Sequence, residues 1–449
     1  MHAIESDTAR PRGLLAGYLI HLLLPAFLFA DSLRLIRRDA AGIPEIAVAC
    51  ISGLWLLIGI TVLARARERN HFLRKSSPFL LSFYLGCILF AALEWTTRAV
   101  LDRGHGDPLY FRRNVRITRD ISHLGMIGVS PVVHFTTNPD GVRGSMPPKD
   151  HGVYKIIAVG GSTTECGALD DTEAWPYLVM QKLNAAQKQR EVWVGNVGVS
   201  AKTSVDHLDF MRHSPPLRQA DMLIFLFGVN DLQSALDFSG DSTQKVLEYR
   251  AEMFARHAPG EVTPAGGIFR RSWFLMAVLN RWHALKSRIL NESKAAETVD
   301  AAARQRATAP VVPLPNLDIS LREYAGRIRD LEKECRSLNL RCAFLTQPSM
   351  WRADLPPELE RLLWTGRVGK DGHTIGFASV ADLARAMDAY NHTLLDVCAQ
   401  DRLECYDLAS QIPKDTSAFY DDAHFNIGGG EKVADFVAGK LLQVAPFSR

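Results

Sequence analysis

The sequence predicts an α/β fold, a three-layer sandwich with a mainly parallel central sheet, preceded by amino-terminal transmembrane helices. Three observations carry this. Short, wholly apolar runs such as Ile156 to Val159, Val192 to Val194 and Met222 to Phe227 read as strands buried on both faces. They alternate with stretches whose apolar residues recur at helical spacing, and repeated strand–helix units require right-handed crossovers that cover both faces of one sheet. Ahead of all this lie apolar runs far longer than a strand needs.

Those runs are Leu14 to Ala30, Ile46 to Ala64 and Pro78 to Leu93, each about sixteen to nineteen residues and close to the length that crosses a bilayer. A signal peptide ending near Ala30 would remove only the first. Three spans are expected, forming an anchor over residues 1–97 in a lipid bilayer. Arg65, Arg67, Arg69, Arg74 and Lys75 stand between the second and third runs with only Glu68 opposing them. The preceding loop sets Arg34, Arg37 and Arg38 against Asp31 and Asp39. The more basic loop belongs in the cytoplasm. The chain after about Thr96 is therefore expected outside, which for a multi-pass protein of a bacterial inner membrane means the periplasm or the cell exterior. His21 and Glu94, within or beside the spans, read as interfacial or bundle-packing residues.

Residues 98–153 are polar, with scattered Gly and Pro, and read as a juxtamembrane connector. Thr137 to Gly144, Thr-Asn-Pro-Asp-Gly-Val-Arg-Gly, has turn chemistry throughout. Arg143 within it is expected to pin the connector to the domain, with substrate binding as the alternative. Residues 154–449 are expected to form a second domain. Trp175, Leu178, Val179 and Leu183 share one helical face, as do Leu321, Tyr324, Ile328, Leu331 and Cys335, and again Val380, Leu383, Met387, Tyr390 and Leu394. The latter two helices each precede a short strand, near Cys342 to Thr346 and Cys405 to Leu408. The alternation lapses over about 238–318, a helical insertion. Within it Phe269, Trp273, Phe274, Leu275, Val278, Leu279 and Trp282 interleave with Arg270, Arg271, Arg281 and Lys286. Such a helix can pack on the domain, lie on the membrane surface or cover the site as a lid. Ala295 to Pro315 reads as a flexible return.

A formal charge of +3 over 449 residues, with no basic stripe interleaved with aromatics in the motif-bearing domain, gives no reason to invoke nucleic acid. Cys335 with Cys342, and Cys398 with Cys405, each run from a helix end to the next strand, where local disulfides fit an oxidising compartment and free thiols are the alternative. Cysteine spacing does not match a zinc site.

The chemistry concentrates in four stretches. Gly160-Gly161-Ser162 closes the first domain strand and leaves the serine uncrowded at a strand's carboxyl end. Gly195 to Ser200 follows the second strand, and Phe227-Gly228-Val229-Asn230-Asp231 closes the third. Far down the chain comes Asp421-Asp422-Ala423-His424. A serine hydroxyl needs an imidazole to take its proton, and that imidazole needs a carboxylate to hold the useful tautomer.

In their order these stretches resemble the four sequence blocks of the SGNH (GDSL-type) hydrolases, and the resemblance covers about the last two-thirds of the chain. It implies an SGNH/flavodoxin-like sandwich with Ser162 as nucleophile, His424 as general base and then acid, and Asp421 as the orienting carboxylate. Asp422 is the alternative that the family spacing disfavours. The resemblance further implies an oxyanion hole of the Ser162 amide, the Gly198 amide and the Asn230 side chain, with no cofactor and no metal. Gly161 and Thr163 stand where the namesake motif has aspartate and leucine. His373 is a competing base without an aspartate three residues earlier. Trp175, Trp351 and Trp364 are core or rim residues that could also stack on a sugar, and Gln347 to Trp351 are expected on the site's face. The expected activity is that of an esterase or O-acyltransferase on acyl, chiefly acetyl, esters of cell-envelope or exported carbohydrate. Its alternatives are a lipase or lysophospholipase, or a glycan-binding scaffold of an export complex.

Overall fold

The structure, a computed structural model, describes residues 11–37, 43–64, 82, 85–99, 114–149, 152–186, 190–214, 217, 219–240, 272–275, 277–279, 281–282, 302–370 and 373–448. The chain divides into two compact units, one of residues 1–103 with 247–292 and one of residues 104–246 with 293–449.

In the first unit, helix α1 (Pro11–Arg37) packs against α2 (Ile43–Ala64). Gly53 lets the helices close up, because a Cβ there would stand 2.9 Å from the Phe29 ring. A further helix spans 85–99. Among the described residues no helix is long and apolar enough to cross a membrane. In α2, the side chains are described only over residues 46–62. Of these, Ile46, Ile51, Leu54, Leu57, Ile58 and Ile60 are exposed, as are Leu23 and Phe27 of α1 and Leu85, Ile88, Leu89 and Trp95 of the third helix. Glu94 receives hydrogen bonds from Ser272 Oγ (2.7 Å) and from the amides of Trp273 (2.9 Å) and Phe274 (3.0 Å), so it caps the start of the described part of the insertion. The basic loop Arg65 to Lys75, the side chain of His21, and Phe269, Arg270, Arg271 and Lys286 lie outside the described residues.

The second unit is the sandwich. Its sheet consists of β3 (Tyr154–Gly160), β4 (Val192–Asn196), β5 (Met222–Leu226), β6 (Arg341–Leu345) and β9 (Glu404–Tyr406), all parallel, in the order β4-β3-β5-β6-β9. Taken by their place in the chain this is 2-1-3-4-5, the doubly wound order in which direction reverses beside the first strand. The sheet is apolar because both faces are covered. Helix α4 (Trp175–Ala186) packs with α10 (Ile427–Leu441). On the other face α5 (Ser204–His213), α7 (Asp318–Ser337) and α9 (Val380–Asp401) pack in succession, as right-handed crossovers in opposite directions demand. Phe225 stacks on Phe344 at 5.1 Å and Tyr324 meets Tyr390 edge-on at 4.9 Å, filling the space under those helices.

Cys335 and Cys342 form one disulfide and Cys398 and Cys405 another, each tying a helix to the strand that follows it. An antiparallel hairpin of β1 (Arg116–Asp120) and β2 (Val132–Thr136) occupies the stretch with connector composition. Residues 302–308 are helical where the composition reads as a flexible return, held by Arg306, which donates to Thr365 O (2.6 Å) and Ala378 O (3.1 Å). A second hairpin, β7 (Arg367–Lys370) with β8 (His373–Phe377), follows the short helix α8 (Pro357–Glu360).

Candidate active site

The carboxyl ends of β4, β3 and β5 stand side by side, with Ala158 level with Asn196 and Gly160 level with Leu226. At such a reversal of strand order the loops part and leave a crevice. Ser162 opens the one-turn helix α3 (Ser162–Glu165) directly after β3. Asn230 opens α6 (Val229–Asp237) directly after β5. The turn carrying His424 lies just ahead of α10, and is closed by the Phe419–Phe425 bridge and a 3.1 Å hydrogen bond from Tyr420 N to His424 O.

Ser162 Oγ and His424 Nε2 are 2.7 Å apart. His424 Nδ1 lies 2.8 Å and 2.9 Å from the two oxygens of Asp421. The three-residue spacing explains this pairing. The Asp421 carboxylate also accepts from the backbone amides of Ala423 (3.1 Å) and His424 (2.9 Å), so the turn that carries the histidine folds around its own partner. Burial disfavours a charged imidazole, but the carboxylates of Asp421 and Asp422 outweigh it and hold His424 above the ordinary histidine range. Burial likewise works against the Asp421 charge, yet His424 and the Trp364 indole hold its carboxyl below the ordinary aspartate value.

Asp422 faces elsewhere. Its carboxylate accepts from Trp351 Nε1 (2.9 Å), Trp364 N (2.8 Å), Thr365 N (3.2 Å) and Thr365 Oγ1 (2.8 Å), which leaves Asp421 as the partner of the imidazole. His424 is the histidine at hydrogen-bond distance from Ser162; His373 opens β8, and its side chain lies outside the described residues.

The backbone beyond Ser162 is tied down carbonyl by carbonyl. Trp175 Nε1 donates to Thr163 O (3.1 Å) and Asn196 Nδ2 to Thr164 O (2.7 Å). Buried Arg143 donates to Glu165 O, to Cys166 O (3.0 Å) and to Leu169 O (2.7 Å), while its Nε holds Asp171 at 2.8 Å. The unpaired carbonyls at the end of a short helix thus all find donors. Trp175 and Trp351 are core residues, and Met350 is buried with them. Gln347 faces Thr163, whose hydroxyl donates to its Oε1 at 3.3 Å. Burial pushes the Cys166 thiol up to about 11, so it stays protonated and does not compete with the serine.

The expected oxyanion donors divide. The Ser162 amide is the first of α3 and has no helical acceptor. Asn230 Nδ2 donates to Lys202 O at 2.8 Å and sits over Gly161, where any Cβ would collide with it. The Gly198 amide instead donates to Asn196 Oδ1 at 2.8 Å, and Gly198 is glycine because a Cβ would run into the backbone at Thr164 and Glu165. The loop that continues from it passes alongside Gly160, with Val199 N donating to Gly160 O at 3.1 Å. Ala201 in this loop is exposed, has φ +63°, and its N–H has no hydrogen-bond partner among the described residues. An alanine in the left-handed region is a signal that sequence does not display. Trp364, whose indole reaches Asp421, also belongs to no motif. No cluster of three or more His, Cys, Asp or Glu side chains suited to a metal occurs among the described residues.

No family model matches the chain, and no curated protein does. Among solved structures, the acetylxylan esterase Axe2 from Geobacillus stearothermophilus is 14% identical with a TM-score of 0.35, over 65% of this chain and 93% of that one. LAE5, an alpha/beta hydrolase enzyme from the metagenome of Lake Arreo, Spain, is 13% identical with a TM-score of 0.34, over 65% and 97%. The acetyl xylan esterase AlAXEase is 11% identical with a TM-score of 0.35, over 64% and 99%. At these identities and TM-scores the likenesses carry no argument about the chemistry of this chain.

Proposed function

We propose that the chain is a serine esterase or O-acyltransferase of the SGNH type, anchored in a bacterial inner membrane with its sandwich outside the cytoplasm. Its substrates in this reading are acyl, first of all acetyl, esters of cell-envelope or exported carbohydrate. One observation carries the enzymatic part: Ser162 Oγ 2.7 Å from His424 Nε2, with Asp421 2.8 Å from the other ring nitrogen. The Ser162 proton passes to His424 Nε2 as Oγ bonds to the acyl carbon. Collapse of the tetrahedral intermediate breaks the bond to the alcohol oxygen, which takes the proton from His424 and leaves. Water or a sugar hydroxyl, deprotonated by His424, then attacks the acyl-serine and restores Ser162.

The Ser162 amide and the Asn230 amide are the donors proposed for the oxyanion. Gly198, which the family resemblance assigns to the hole, must release Asn196 Oδ1 to take part, and the Ala201 amide in the same loop is the donor proposed in its place. The choice of carbohydrate rests on the resemblance to anchored members of the family. Membrane anchoring rests on the long apolar runs and the basic loop. The exposed Ile and Leu side chains of α2 and Leu23 and Phe27 of α1, a surface that water does not favour, support it.

Hydrolysis of 4-nitrophenyl acetate and decanoate by the full-length protein tests the reading. Acetyl turnover is expected to exceed decanoyl turnover by at least about tenfold and to fall by about 10⁴-fold or more in Ser162→Ala. A preference for decanoate would transfer the reading to a lipase. No turnover of either ester by folded protein would contradict the esterase.

A further inference from the structure

Trp364 lies 57 residues before Asp421 in the chain, in the loop between α8 and β7, and its indole N–H donates to Asp421 Oδ2 at 3.0 Å. The same oxygen faces His424 Nδ1 at 2.8 Å, so two donors share it. The indole ring lies parallel to the imidazole within 3°, with centroids 6.2 Å apart, and the Tyr420 ring lies within 10° of the same plane at 5.7 Å. What aims the indole is Asp422. Its carboxylate takes the Trp364 amide, the Thr365 amide and the Thr365 hydroxyl, and Trp351 Nε1 completes the set. Two consecutive carboxylates are therefore split between tasks. Asp422 holds the loop, and Asp421 receives the side chain that the loop presents.

We propose that Trp364 is a positioning residue for Asp421, fixing its carboxylate against the imidazole through an indole hydrogen bond that a loop anchored on Asp422 delivers. This rests on the serine reading given above. The N–H on Oδ2 draws negative charge away from His424. Without it, Asp421 pairs more strongly with the imidazolium, and the histidine becomes a base that is protonated at higher pH. Asp421 touches His424, Asp422 and Glu165 act on it through space, and Arg306 acts in turn on Asp422. Trp364→Phe adds or removes no charge, so a shift of the imidazole reports the lost indole hydrogen bond.

The test is Trp364→Phe in the full-length protein, which keeps an aromatic ring and removes the donor. Two readouts are taken: the NMR titration of the His424 Cε1–H, assigned against His424→Asn, and the pH profile of kcat/KM on an acetyl ester. The imidazole is expected to titrate about half to one pH unit higher, and the acidic limb of kcat/KM to follow. At neutral pH, kcat/KM is expected to fall about tenfold. Thr365→Val, which removes one anchor on Asp422 and leaves the indole in place, is expected to move the titration the same way by less, and it serves if the first variant does not fold. An unchanged His424 titration in folded variants overturns the proposal, even where activity falls. The titration does not depend on turnover, so a wild type that hydrolyses no ester counts against the serine reading and leaves Trp364 to be judged on the shift alone.

Discussion

Asp421→Asn is expected to lower kcat on an acetyl ester by about 10⁴-fold with the fold intact, while Asp422→Asn is expected to unfold more easily and to lose far less activity. The two carboxylates are neighbours in sequence and do different physical work. Asp421 spans both its oxygens across His424 Nδ1, at 2.8 Å and 2.9 Å. An amide in its place offers Nδ2 to a ring nitrogen that must itself donate, and the imidazole is held in the wrong tautomer. Asp422 makes no contact with the imidazole and takes four donors from Trp351, Trp364 and Thr365. An amide there sets N–H against N–H, a loss of about 2–3 kcal/mol for a buried group. Steady-state kinetics and thermal unfolding of both variants distinguish these roles. A larger catalytic loss in Asp422→Asn than in Asp421→Asn would contradict the assignment.

The second large effect belongs to Arg143. Its guanidinium is buried over the Phe135 ring, 4.4 Å from the centroid, and ties the Glu165, Cys166 and Leu169 carbonyls after the nucleophile to Asp171. Arg143→Met leaves the Glu165 and Leu169 carbonyls without their donor, the Cys166 carbonyl with only the Leu169 amide and Asp171 with only the Thr136 amide and hydroxyl, which is expected to cost about 3–5 kcal/mol. The turn that carries Ser162 loosens with it, and kcat is expected to fall about a hundredfold, since small misplacements of a nucleophile are expensive. Arg143→Lys is expected to recover little, because a single ammonium cannot reach carbonyls on different sides of the fork. Urea unfolding and ester hydrolysis measure both losses. A wild-type unfolding midpoint in Arg143→Met would show that the clamp stabilises nothing.

Much of the sandwich could be read from the chain because parallel strands are buried on both faces. Ile156 to Val159 and Met222 to Phe227 have no other place to go. The spacing of Asp421 and His424 was legible for a similar reason, since a carboxylate three residues before a histidine is tied to it by a local turn. What the sequence hid depends on contacts between distant segments. Arg116–Asp120 is exposed along its whole length, so the strand it forms carries no alternation to betray it. Arg306 stabilises a helix by reaching Thr365 and Ala378, far along the chain. Gly198 is a glycine in a suitable block, yet its amide is engaged by Asn196, while the exposed residue with a left-handed backbone is Ala201. Trp364 reaches Asp421 across 57 residues, and nothing local to a tryptophan announces that its N–H will meet a carboxylate.

The most direct measurement is covalent labelling of the full-length protein with a fluorophosphonate, followed by intact mass and peptide mapping. One adduct per chain is expected, on the peptide that carries Ser162, absent from Ser162→Ala and strongly slowed in His424→Ala. Folded protein that takes up no label, or a label on another residue that persists in Ser162→Ala, would contradict Ser162 as the nucleophile.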